Sequence, residues 1–328
     1  MEIVVMGVRG FGRVHLNAIH GVDVSVMERD KTLAEEVLTQ YQHKVKRVFS
    51  SIEEALSSSA DAVDIVLPHN LHAPVAIEAM KMGKHVLVEK PIATSVQDAQ
   101  NMIRIAKETG KKLMVADQWH FDPSVLAAKA VITEGKIGDL TSLIVRSQGF
   151  YDASGWRRSE KDMGGGALID GGIHYVDTML SLGGDYSDVY GAAVKGGSAI
   201  SGEDTSAALF RFKKGAVGLL FYSWGYRNPP VLPEFEVIGS SGSVYEDPLG
   251  ELRSVAGADY KGGLRENTPV YRGLIVNGQK YPVKGYDPVR AEIDGFLKSV
   301  EEGNEVPFDP SLAKRELEAV LSIYGRPV

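Results

Sequence analysis

Three residues in this sequence have the types and the setting to move a proton: Lys90, Asp170 and His174. Lys90 lies in residues 86–91 (VLVEKP), where an apolar run that reads as a buried strand ends in Glu89-Lys90 and is closed by proline. Proline disfavours helical geometry in the residue before it, so Lys90 is expected to leave the strand extended, at its carboxyl end. Open α/β sheets bind ligands there. Asp170 and His174 lie in residues 164–182 (GGGALIDGGIHYVDTMLSL), where Ile169, Ile173, Val176 and Leu180 repeat at helical spacing and Asp170, His174 and Asp177 form a second stripe. One helical turn, roughly 6 Å along the axis, separates Asp170 from His174. Gly171 and Gly172 each cost a helix up to about 1 kcal/mol relative to alanine, which makes sense if something approaches its backbone closely. An imidazole ordinarily titrates near pH 6.5, so a histidine such as His174 is suited to general acid-base work near neutral pH. The residues alone also allow solvated ion pairs at both places. A metal site is not expected, because the Asp170-His174 pair has no further ligand cluster beside it.

These groups need elements to hold them, and the first half of the chain supplies a regular alternation. Residues 2–6 (EIVVM) read as a buried strand and residues 14–19 as the start of a helix, with Gly7, Gly10 and Gly12 between. In a strand, turn, helix unit, glycines make the tight turn and let backbone approach a pyrophosphate that rests on the helix amino end. Read as G-x-G-x-x-G from Gly7, the pattern has Arg9 in place of its second glycine, then Gly10 and Phe11, and Gly12 as its third. The next strand, 22–27, ends in Glu28, about 20 residues after the first glycine, where an acidic residue takes ribose hydroxyls; Arg29 follows it. Helices at 33–41, 52–57 and 96–109 and strands at 45–49, 62–67 and 112–117 continue the pattern of a doubly wound parallel sheet. The loops after strands 62–67 and 86–90 are expected to follow neighbouring strands. Pro68, His69, His72, Glu89 and Lys90 would then border the nicotinamide half of a dinucleotide.

From Phe121-Asp122-Pro123 the pattern changes. A helix at 126–133 is followed by long alternating segments at 140–150, 189–195, 206–213, 216–224, 234–239 and 271–276, with Lys214-Gly215 and Asn277-Gly278 as hairpin turns. These predict an α+β domain with a large, mostly antiparallel, open-faced sheet. Asp287-Pro288 and Asp309-Pro310 read as N-caps of two closing helices. The expected division is residues 1–121 for dinucleotide binding and 122–328 for substrate binding and oligomerisation, with the closing helices, about 287–328, packing back on the first domain. A sheet face left uncovered by helices predicts a homodimer or homotetramer. Trp119, His120, Trp156 and Arg157 offer aromatic faces and a guanidinium suited to hydroxyls or a carboxylate, so they are candidate substrate contacts.

Composition limits the alternatives. The 328 residues carry a formal net charge of -7 with no basic run, so the electrostatic footprint of a nucleic-acid or membrane binder is missing. Without cysteine there is no disulfide, thiolate metal site or thiol nucleophile. The first apolar run is too short for a secretory signal and no later one reaches spanning length, which makes a cytoplasmic protein the expectation.

With GVRGFGRVH at 7–15, LPHNLHAPVAIEAMKMGKHVLVEKP at 67–91, FDP at 121–123, WRR at 156–158 and GGGALIDGGIH at 164–174, the chain resembles the glucose-fructose oxidoreductase and inositol dehydrogenase family (Gfo/Idh/MocA) over nearly its whole length. The resemblance implies a Rossmann domain plus an open-sheet domain, and NAD(P)-dependent oxidation or reduction of sugars, polyols or related cyclic compounds. It assigns the family's catalytic lysine, aspartate and histidine to Lys90, Asp170 and His174. NAD is expected ahead of NADP, because Glu28 would repel a 2'-phosphate, although Arg29 or the unusual Arg9 could offer that phosphate a counter-charge. The alternative is a catalytically silent ligand-binding regulator of the same fold. A pure binder has no need of both Lys90 and His174, which favours the enzyme.

Overall fold

The structure, a computed structural model, describes residues 1–250, 253–254 and 270–326. Short apolar runs, each followed by a helix, build its first unit, which takes in 1–117 and 289–314. The elements are β1 (Glu2–Met6), α1 (Phe11–Ala18), β2 (Asp23–Met27), α2 (Lys31–Gln40), β3 (Val45–Phe49), α3 (Ile52–Leu56) and β4 (Ala62–Ile65). They continue with α4 (His72–Lys81), β5 (His85–Glu89), α5 (Val96–Thr109) and β6 (Leu113–Ala116). Asp30, Ser51 and Ser95 cap α2, α3 and α5 by accepting backbone N–H groups, which fixes where each helix starts. All six strands are parallel, in the order β3-β2-β1-β4-β5-β6. The chain winds outward from β1 to β3 and returns beside β1 as β4. That reversal opens a crevice at the carboxyl ends of β1 and β4, where such sheets hold dinucleotides.

The second unit takes in 118–288 and 315–328. It contains α6 (Pro123–Thr133), capped by Asp122, then β7 (Leu140–Gln148), the short α7 (Glu160–Met163) and α8 (Ile173–Gly183). The strands β8 (Tyr186–Val194), β9 (Thr205–Phe212), β10 (Val217–Ser223), β11 (Phe235–Gly239) and β12 (Ser243–Glu246) follow. A two-residue ladder pairs β13 (Arg253–Ser254) with β14 (Val270–Tyr271), and β15 (Leu274–Val276) and β16 (Gln279–Tyr281) close the sheet. The chain ends in α9 (Pro288–Glu302) and α10 (Pro310–Ile323), Asp309 accepting the Ser311 N–H at the start of α10.

Eight strands run β16-β15-β12-β11-β7-β10-β9-β8, antiparallel except for β7 beside β10. The mostly antiparallel sheet is therefore present. β12, four residues behind a Gly-containing turn, is not among the strands that the sequence predicts, and the strand expected at 271–276 is broken at Arg272-Gly273. Asn277 and Gly278 make the β15–β16 turn with φ of 51° and 79°, the left-handed pair that a two-residue hairpin requires.

One face of this sheet is covered by α8, which packs on β7 and β10. Burial alternates along β9 and β10, with Ala208, Phe210, Phe212, Leu220 and Tyr222 inward. Across the other face, Tyr190, Leu209, Leu219 and Ile144 stand in register on four adjacent strands. The first three are 62%, 43% and 51% exposed, an apolar row open to solvent. Among the described residues no helix is long and apolar enough to cross a membrane.

Candidate active site

The turn between β1 and α1 has the shape that its glycines predict. A Cβ on Gly7, at φ +90°, would lie 2.4 Å from the Val66 carbonyl oxygen, and one on Gly12 would lie 1.9 Å from the carbonyl oxygen of Gly7. Gly10 has open space beside it but holds φ at +62°, so conformation alone requires glycine there. No side chain caps the amino end of α1. Tight backbone, a helix amino end without a side-chain cap, and Glu28 at the end of β2 fit the pyrophosphate and ribose of a dinucleotide. The Glu28 carboxylate accepts the N–H of Val8 (3.4 Å) and of Asp30 (3.0 Å), which fixes it beside the turn. Arg9 is exposed and its guanidinium pairs with Asp30 at 2.8 Å, so its charge is already balanced; Arg29 is exposed and Phe11 opens α1.

Two of the expected cofactor contacts, Glu89 and His72, are deeply buried. Glu89 turns inward, where it accepts a hydrogen bond from His15 Nε2 at 3.0 Å, while His15 Nδ1 donates to Asp64 at 2.9 Å. His15 is fully buried and the two carboxylates outweigh that burial, holding its imidazole protonated well above the usual range. Glu292 of α9 stands 3.9 Å from the same ring, and burial among the acids pushes its carboxyl well up. His72 is also fully buried, its ring nitrogens 2.7 Å from the Pro91 carbonyl and 2.8 Å from that of Leu67. Burial, and then His69, push its pKa down to about 4, so at neutral pH the ring is uncharged and carries one N–H. With one N–H the ring donates to one of these two carbonyls, and through its contacts His72 links the loop after β4 to the loop after β5. His69 is 3% exposed and lies 5.5 Å, centroid to centroid, from the His72 ring; Pro68, half-buried, begins that loop. Lys90, 8% exposed, follows directly on β5, and its peptide bond to Pro91 is cis.

In the second unit, Asp170 and His174 straddle a change of helical type. Leu168–Gly172 form a π-helical turn, and α8 begins at Ile173. The single α-helical stripe expected from the sequence is thus replaced by a wider turn ahead of His174, a local geometry that recurs at functional sites. Both side chains are buried, Asp170 at 0% and His174 at 3% exposure, which eliminates the solvated ion pair. Arg157 Nε donates to Asp170 Oδ2 at 2.7 Å, and its guanidinium lies over the Trp156 ring at 4.6 Å. The His174 ring stacks on Trp119, with centroids 4.3 Å apart and planes 18° off parallel. His120, next to Trp119, bonds through Nδ1 to Asp177 at 2.8 Å. All four expected substrate contacts therefore gather around the Asp170-His174 segment.

Tyr222 and Trp224, which the sequence reading passed over, explain the glycine pair. A Cβ on Gly171 would lie 2.1 Å from the Tyr222 hydroxyl, and one on Gly172 would lie 2.9 Å from the Tyr222 ring. Trp224 Nε1 donates to that hydroxyl at 2.7 Å. The backbone is approached closely, as the glycines imply, by β10 and the residue just beyond it. The only signal was an alternating Tyr-x-Trp at the end of a strand.

A parallel sheet with a dinucleotide turn, joined in one chain to an open antiparallel sheet that carries a buried aspartate and histidine, is the build of a nicotinamide-dependent oxidoreductase. Residues 1–117 match the oxidoreductase family with an NAD-binding Rossmann fold, and residues 125–245 match the GFO/IDH/MocA C-terminal domain. The chain belongs to the GFO/IDH/MocA family. It is 29% identical over 289 residues to levoglucosan dehydrogenase of Pseudarthrobacter phenanthrenivorans, an alignment covering 76% of this chain and 73% of that one. It is 24% identical to myo-inositol 2-dehydrogenase of Thermotoga maritima over 94% and 99% of the two chains. The crystal structure of an oxidoreductase from T. maritima superposes with a TM-score of 0.84 at 24% identity, covering 98% of this chain and 95% of that one, which extends the agreement in fold to both units.

Proposed function

We propose that this oxidoreductase oxidises a carbinol of a sugar, polyol or related cyclic compound, or reduces the matching carbonyl, with His174 as general base and acid. The observation that carries the reading is the buried His174 ring, held by stacking on Trp119 one turn beyond Asp170. Stacking fixes the plane of the imidazole and so sets the angle at which a ring nitrogen meets a substrate hydroxyl. Asp170, bonded to Arg157, binds a neighbouring hydroxyl; Trp156, Trp119 and His120 complete the substrate contacts. Lys90 stabilises the alkoxide as it forms. Bound NAD supplies the hydride acceptor. Gly7, Gly10, Phe11, Gly12, Glu28 and the backbone of Pro68 and His69 hold the dinucleotide, with Arg9 and Arg29 at the rim. The levoglucosan and inositol dehydrogenases among the relatives support cyclic polyols as the substrate class. The exposed row Tyr190, Leu209 and Leu219 supports assembly as a homo-oligomer through this sheet.

The test is a panel of sugars, polyols and sugar acids, myo-inositol and levoglucosan included, scored for reduced dinucleotide with NAD or NADP. Turnover of a cyclic polyol is the expected result. Saturable binding of one member in calorimetry, with no reduction of either dinucleotide, would instead mark a regulator.

A further inference from the structure

The run Gly164-Gly165-Gly166 has no part in the chemistry described so far, yet its neighbours are specific. A Cβ on Gly165 would lie 2.7 Å from the Tyr324 ring, and one on Gly166 would lie 2.0 Å from both the backbone and a side-chain oxygen of Glu203. The glycines therefore form a socket for two residues distant in sequence, one in the loop before β9 and one just past α10. Those two residues receive the amino end of the segment that carries Asp170 and His174. The Glu203 carbonyl accepts the Ala167 N–H at 2.8 Å, and Glu203 Oε1 accepts the Leu168 N–H at 2.7 Å. The Tyr324 hydroxyl accepts the Ile169 N–H at 3.0 Å and that of Gly166 at 3.4 Å, and donates to Glu203 Oε1 at 3.0 Å. Three successive amides at a helical start, each ordinarily left to water, are thus held by two residues: Ala167 by the Glu203 carbonyl, Leu168 by the Glu203 carboxylate and Ile169 by the Tyr324 hydroxyl.

We propose that Glu203 and Tyr324 form a clasp that positions Asp170 and His174 for the reaction, and that the clasp holds fully only when Glu203 is ionised. The inference rests on the role given above to His174. An ionised acceptor binds N–H and O–H donors about twice as strongly as a neutral one, and its charge suits a helix amino end. Burial pushes the Glu203 carboxyl up to about 7, against the Leu168 N–H, the Tyr324 hydroxyl and the Arg326 guanidinium, which favour the charged form. Arg326 itself donates to the Gly164 carbonyl at 2.5 Å and to Glu160 of α7 at 2.9 Å. The adjacent Asp204 faces away, towards the N–H groups of Gly196 and Ser198. Glu203 is charged above about pH 7 and neutral below it, so the clasp loosens as pH falls through neutrality.

Hydrogen exchange of the Leu168 and Ile169 amides reads the clasp without reference to turnover. Glu203→Gln, which keeps shape but not charge, and Tyr324→Phe, which keeps the ring but not the acceptor, should each speed exchange about tenfold at about pH 8.5. Wild-type protection, corrected for intrinsic rates, should fall towards the Glu203→Gln level by about pH 6, while that variant stays flat. With myo-inositol and levoglucosan as test alcohols, both variants should lower kcat about tenfold and leave KM for NAD unchanged, because the lesion is in positioning. The double variant should lose no more than either single one, as expected of groups acting as a unit. Unchanged amide protection in both variants, or fully additive losses in the double, overturns the clasp. Full turnover by His174→Ala overturns the role of His174 instead, with the clasp still judged on the amides.

Discussion

At the scale of single residues, the site separates chemistry from support. Replacing Lys90 by Met or His174 by Ala should lower kcat by roughly 10² to 10⁴, the size of oxyanion and general acid-base contributions, while dinucleotide affinity by fluorescence titration stays within about twofold. Asp170→Asn should cost less in kcat and more in KM, since Arg157 loses an ionic partner and substrate a hydroxyl acceptor. Near wild-type turnover by the first two variants, in an assay limited by chemistry, would remove both assignments. For the dinucleotide, Glu28 predicts a preference for NAD, because its carboxylate would repel a 2'-phosphate while Arg9 is engaged with Asp30. Glu28→Ser should narrow that preference, read as the ratio of the two apparent affinities. The residues proposed to do the chemistry were legible because their types are rare in apolar settings. Their supports were not: nothing local says that His15 lies between Asp64 and Glu89, or that Tyr222 occupies the space above Gly171.

At the scale of elements, the alternation of apolar runs and capped helices was readable because it is local. Asp30, Ser51 and Ser95 stop the preceding loop wherever they stand. The π-helical turn at Leu168–Gly172 was not, since its cause is tertiary: its first amides are taken by distant oxygens and its glycines admit Tyr222. The acid cluster around His15 is another such feature and has a measurable cost. Glu292 retains its proton in the folded chain at pH values where the unfolded chain has released it. Its contribution to stability is therefore complete below the ordinary carboxyl range and is lost as pH rises towards the raised folded value. His15, also raised, acts with the same sign. Glu292→Gln fills the same space and can donate to a neighbouring carboxylate. It should raise the melting temperature by roughly 2–4 °C at about pH 8, with the gain vanishing near pH 4.5. Calorimetry at the two pH values decides it; an equal shift at both would mean that the proton is not involved.

At the scale of the whole molecule, one apolar face is an assembly prediction. Patterning along β9 and β10 announced a two-faced sheet, but which face α8 covers could not be read, because β7 and β10 are parallel neighbours separated by some seventy residues of chain. Sedimentation at micromolar concentration should give at least a dimer, and Leu219→Arg, a buried guanidinium in the middle of the row, should give a monomer. A wild-type monomer would sink the idea. The row also lies near the proposed site. Leu219 and Phe221 face outward from β10, while Leu220 and Tyr222, between and beyond them, face inward, and the Tyr222 hydroxyl lies against Gly171. A partner on the outer face would thus press on the site through the thickness of one strand. Specific activity should then depend on how concentrated the protein is, falling on dilution below the dissociation constant of the dimer and returning when unlabelled, catalytically dead His174→Ala chains are added to refill the missing half.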